Sequence, residues 1–69
     1  MVEVFKTDVH NEDRAIMLLS VLSQRFPSHR INFDLEDCDR ILRVEGLNIL
    51  PENIISVLNA YGYQCLILD

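Results

Sequence analysis

Tryptophan is absent, and glycine, proline and cysteine occur only twice each in 69 residues. So few turn formers leave little room for long loops. At 49 % apolar and 25 % charged residues the chain has the balance of a globular domain, not of a disordered segment. Cations are scarce as well: six Lys and Arg stand against eleven Asp and Glu, a net charge of −5. An acidic surface repels phosphate backbones and anionic headgroups, which argues against nucleic acid and membrane as partners. No apolar run is more than a handful of residues long, too short for a transmembrane helix or the apolar stretch of a signal peptide. Met1 leads straight into a strand-like segment, so the expected location is cytoplasmic and Cys38 and Cys65 are expected as free thiols. The length fits one small domain over 1–69.

The hydrophobic period alternates between two and 3.6 along the chain. Val2, Val4 and Lys6 alternate with Glu3, Phe5 and Thr7, a strand pattern. Ala15, Leu18, Leu19, Leu22 and Phe26 then recur at three- and four-residue spacing, the core stripe of a helix. Asn11 suits its N-cap, Glu12 and Asp13 suit its positive end, and Pro27 stops it. Ile31, Phe33 and Leu35 alternate with Asn32, Asp34 and Glu36, a half-buried strand. After the polar turn Glu36-Asp37-Cys38-Asp39, Leu42 and Val44 form the return strand of a hairpin that Gly46 ends. Pro51 suits the first turn of a second helix, carried by Ile54, Ile55, Leu58 and Tyr61 to a left-handed cap at Gly62. Gln64 to Leu68 reads as a last short strand.

The order β-α-β-β-α-β predicts an α+β, ferredoxin-like sandwich. Two split βαβ units interleave into a four-stranded antiparallel sheet of order 4-1-3-2, with both helices on one face. The segment Arg40-Ile41-Leu42-Arg43-Val44-Glu45-Gly46, and the helix ending Asn59-Ala60-Tyr61-Gly62-Tyr63, resemble the heavy-metal-associated (HMA) domain of copper chaperones and metal-exporting ATPases. Element order and lengths are similar over nearly the whole chain, and Gly62-Tyr63 is similar to a pair common in that family. The resemblance implies the same fold. It also locates the family's Met-X-Cys-X-X-Cys metal loop at Thr7 to Asp13, where Asp8 stands for the Met and His10 and Asp13 stand for the two Cys. Both thiols are gone, so no cofactor is expected by that route.

His10 and Asp13 are nonetheless the candidate metal ligands. Imidazole with carboxylate suits a borderline ion such as Zn(II) or Ni(II), not Cu(I). The competing account is structural: Asn11-Glu12-Asp13 is fully explained as a helix start. Cys38 and Cys65 fall at opposite edges of the expected sheet, too far apart for a bridge, and carboxylates on both sides of Cys38 blunt its reactivity.

Enzymatic readings find no support. No serine is paired with His10 or His29 by spacing. Acylphosphatases share the fold but need an anion-cradling loop with Arg after the first strand, where this loop is acidic. RNA-binding domains of this shape stack bases on aromatic residues above a basic surface. Amino-acid-binding regulatory domains also share the fold, and nothing beyond the fold supports that reading. If Val2, Val4, Leu42, Val44, Leu66 and Leu68 face the helices, the open sheet face shows Phe5, Ile41, Cys65 and Ile67. Such an apolar patch with a polar rim marks a protein contact. The expectation is a non-catalytic protein-interaction module, binding a protein partner or forming a homodimer through that patch.

Overall fold

The computed structural model describes residues 1–68. They form β1 (Val2–Thr7), α1 (Glu12–Arg25), β2 (Arg30–Asp34), β3 (Ile41–Glu45), α2 (Pro51–Ala60) and β4 (Cys65–Ile67). The strands make one antiparallel sheet in the order β2-β3-β1-β4, which is the expected 4-1-3-2 read from its other edge. The fold is the ferredoxin-like α+β sandwich. No helix among the described residues is long and apolar enough to cross a membrane.

Local chemistry sets the helix boundaries. The Asn11 carboxamide oxygen accepts the backbone N–H groups of Asp13 at 2.8 Å and Arg14 at 3.2 Å, satisfying two donors that the first turn of α1 leaves free. α1 ends at Phe26, whose N–H donates to the Leu22 carbonyl at 2.8 Å, and Pro27 cannot continue it. α2 starts on Pro51, where a missing N–H costs nothing. It closes in a Schellman motif: Gly62 adopts a left-handed φ of 89°, the Tyr63 N–H donates to Leu58 and the Gly62 N–H to Asn59. Tyr63 then folds back against the core, while Tyr61, expected on the helix's inner stripe, is exposed.

The core lies between the helices and one face of the sheet. Leu18 and Leu22 of α1 and Ile54 and Leu58 of α2 meet Phe5, Leu42 and Val44 of the central strands. Each such side chain, fully withdrawn from water, contributes roughly 1.5–3 kcal/mol. Two loop residues join them, Val9 after β1 and Ile49 before α2, neither signalled by a helix or strand period.

Register fixes which side chains share a face. Phe5 stands opposite Leu42 on β3 and Ile67 on β4, while Val4 stands opposite Arg43 and Lys6 opposite Ile41. Phe5 and Thr7 therefore face the helices, and Val2, Val4 and Lys6 face away. Thr7 seals the end of this strand. Its hydroxyl donates to the Arg40 carbonyl at 2.6 Å and accepts the Val9 N–H at 3.3 Å. Arg40 holds a left-handed φ of 49° there, and its guanidinium donates to the Leu35 carbonyl.

Candidate functional site

The first loop, between β1 and α1, is built as a cap. His10 and Asp13 are both exposed, with Asp13 already inside the first turn of α1. The Asp8 carboxylate accepts the Gln64 N–H at 2.8 Å, which ties the loop to the connection before β4. Among the described residues, the trio whose ligand-type atoms converge is not here but in the β2–β3 turn, where those of Asp37, Cys38 and Asp39 lie within 4.8 Å of one another. That trio has a local cause: the Asp37 carboxylate accepts the Asp39 N–H at 2.9 Å, an Asx turn that draws the side chains together.

The cysteines are free thiols in different settings, Cys38 exposed in the turn and Cys65 buried opposite Thr7. Burial pushes the Cys65 thiol up to about 12, so it stays protonated and inert at neutral pH.

The expected patch of Phe5, Ile41, Cys65 and Ile67 does not exist as one surface. Phe5 and Cys65 are in the core. Ile67 is paired with Phe5 and so lies on the helix side, 46 % exposed on the edge strand β4. Of the four, Ile41 alone is on the open face, and it is 7 % exposed between Lys6 and Asp34 in its row. The cause is a one-residue difference in phase. The expected faces of β1 and β4 are exchanged, and a shift of one residue moves every side chain of a strand to the other side.

What the open face carries instead follows from the same register. Arg30, Glu45 and Val2 form one row across the sheet, Asn32, Arg43 and Val4 the next, and Asp34, Ile41, Lys6 and Leu66 the third. The Leu68 N–H donates to the Val4 carbonyl at 2.8 Å, extending the middle row by one residue. One half of the face, over β2 and β3, is thus charged with both signs. The other half, over β1 and β4, is an apolar stripe of Val2, Val4, Leu66 and Leu68 interrupted by Lys6. Leu66 is 60 % exposed, Val2 49 % and Leu68 40 %. Lys6, Arg30 and Arg43 are matched here by Asp34, Glu45 and, beside Lys6, Asp39, so this face is locally balanced in a chain with net charge −5. The Lys6 ammonium leans toward Asp39 at 3.8 Å, a solvent-exposed pair worth little energy.

No protein-family model matches the chain, and no curated protein matches it.

Proposed function

We propose that this chain is a non-catalytic protein-interaction module of HMA-like type whose first loop has exchanged metal binding for helix capping. The observation that carries the reading is the apolar stripe of Val2, Val4, Leu66 and Leu68 on the sheet face that neither helix covers. Exposed aliphatic side chains on adjacent strands, rimmed by Arg43 and Lys6, are the composition of a contact surface with a dry centre and a polar edge. The site would recognise a protein surface with its own apolar centre and a margin carrying charges of both signs, since the charges around the stripe are balanced.

The test is quantitative capture from extracts of the source cells on immobilised wild-type protein and on the Leu66→Lys variant. Leu66 is exposed, so the substitution leaves the fold intact while placing a second ammonium beside Lys6. Proteins retained by the wild type and lost from the variant are the expected result. Identical retained sets would refute the reading. Stoichiometric retention of Zn(II) or Ni(II) in native mass spectrometry, lost on His10→Ala, would transfer the function to the first loop.

A further inference from the structure

Among the described residues no further strand pairs with either edge of the sheet, and the two edges differ in a way that bears on self-association. β4 is three residues long and uniformly apolar, Cys65-Leu66-Ile67, with no feature to fix a register. β2 is five residues, Arg30-Ile31-Asn32-Phe33-Asp34, and among the described residues its one partner in the sheet is β3. It has no proline or bulge, and its charges are confined to its two ends. Native edges are usually blunted by one of these devices, so an edge without them is a pairing template.

The sequence of β2 is complementary to itself when reversed. Laid antiparallel against a second copy about a two-fold axis through Asn32, Arg30 falls opposite Asp34 and Ile31 falls opposite Phe33, each twice. Asn32 meets Asn32. The faces agree as well as the order. Ile31 and Phe33 stand opposite Val44 and Leu42 on the helix side, whereas Arg30, Asn32 and Asp34 stand on the open side. Opposite charges therefore meet on the wet face and apolar side chains on the packed face, the arrangement that stabilises cross-strand pairs.

A groove of about 340 Å³ supplies a second observation. It runs between α1 and the end of β2, floored by Ala15, Leu19, Phe33 and Leu35, and Ile16 beside it is 63 % exposed. Its rim is Glu12, Asp34 and Glu36, with no cation lining it among the described residues. An apolar slot opening at a bare strand edge calls for a neighbour that brings a backbone and an aliphatic or aromatic side chain together. In the two-fold arrangement the second copy supplies both, its Ile31 arriving opposite Phe33 on the helix side, while its Arg30 meets Asp34 on the open side.

We infer that two copies of this chain join edge to edge through β2, forming a continuous eight-stranded sheet with the four helices on one side. This isologous contact leaves the open faces of both copies coplanar and uncovered. It rests on the interaction-module reading only in taking the partner to be a protein, and it uses a different surface from the stripe over β1 and β4.

Charge exchange tests it. Arg30→Asp and Asp34→Arg are made separately, both at exposed positions, and circular dichroism confirms that each variant folds. Sedimentation equilibrium is then run on the wild type, on each variant and on their equimolar mixture. Arg30→Asp brings a second carboxylate against Asp34 of its twin, and Asp34→Arg brings a second guanidinium against Arg30. Each variant alone is expected to dissociate at least about tenfold more readily than the wild-type dimer. In the mixture, one chain carries only acids and the other only arginines at these two places, so a heterodimer of wild-type strength is expected. A wild type that stays monomeric up to roughly millimolar concentration, a variant that dimerises as the wild type does, or a mixture no better than its components would each overturn the proposal. Leu66→Lys is expected to leave the dimer intact. Loss of the dimer on that change would overturn it too, assigning self-association to the open face instead. Failure of the stripe as a docking surface shows only in the capture experiment, so the two readings fail independently.

Discussion

Neighbouring residues on β1 should respond to truncation to very different extents. Phe5 is completely buried between Leu42 and Ile67 and packs beneath both helices, whereas Val4 is half-buried on the open face opposite Arg43. Phe5→Ala removes a ring from a packed interior that relaxes only in part, which costs about 3–5 kcal/mol. A domain of 69 residues has about 3–10 kcal/mol to lose, at about 0.05–0.15 kcal/mol per residue. The variant should therefore sit at or beyond the edge of stability, with a Tm lowered by at least about 12 °C at about 4 °C or more per kcal/mol. Val4→Ala removes two methyl groups from a surface that water already reaches, and about 1 kcal/mol is expected. Urea unfolding followed by far-ultraviolet circular dichroism at 25 °C measures both. Phe5→Leu, expected to cost about 1 kcal/mol or slightly more, keeps the comparison quantitative if Phe5→Ala fails to fold. A Val4→Ala cost equal to or above that of Phe5→Ala would refute the register and restore the opposite phase for β1.

Further predictions follow from buried contacts. In native protein at pH 8, iodoacetamide should modify one cysteine per chain, Cys38, and in urea both; rapid native labelling of Cys65 would contradict its placement. The same thiol is held near 12 in the folded chain against 9.0 when exposed, so the folded state keeps a proton that the unfolded state gives up. Its contribution to stability is complete below pH 9 and is lost between pH 9 and 12, by up to about 1.4 kcal/mol per pH unit, and Cys65→Ala should flatten that decline. Gly46 lies against His29, and a Cβ there would come within 2.7 Å of the imidazole Nδ1. That ring is stacked on Phe26 with centroids 5.7 Å apart and cannot easily retreat. Gly46→Ala should cost about 1–3 kcal/mol, and His29→Ala should recover part of it in the double variant; additive losses would show that the clash is not the cause.

Element order, cap residues and topology were legible because each rests on local chemistry. Asn11, Pro51 and Gly62 act where their side chains or backbone freedom require them to act, and the helical stripes of α1 and α2 point inward largely as their spacing indicates. The faces of β2 and β3 were legible because Ile31 and Phe33, and Leu42 and Val44, share one phase while the other phase holds the polar residues, with Ile41 the one apolar residue among them. β1 and β4 have no such contrast. Val2 and Val4 compete with Phe5 in β1, and Cys65 and Ile67 compete with Leu66 and Leu68 in β4. A central strand between two others satisfies either phase locally, and only its pairing decides. Charge does not decide it either, since Lys6 shares a phase with Val2 and Val4 while Glu3 shares one with Phe5. Val9 and Ile49 were missed because a loop residue is buried by the elements around it, which no periodicity within the loop records.

The strand order also governs when the fold can be completed. β1 is made first and ends in the middle of the sheet, with β3 on one side and β4 on the other. The hydrogen bond between Asp8 and Gln64 joins groups 56 positions apart along the chain. During synthesis β1 must therefore wait, first for β3 and then for β4, and loop closure over that span delays the last pairing more than any helix formation does. Until β4 arrives, β1 is itself a border strand, with Val2 and Val4 on one side and Phe5 not yet flanked by Ile67 on the other. The nascent chain is then most open to capture by another copy of itself, and rapid docking of β4 is what ends that exposure.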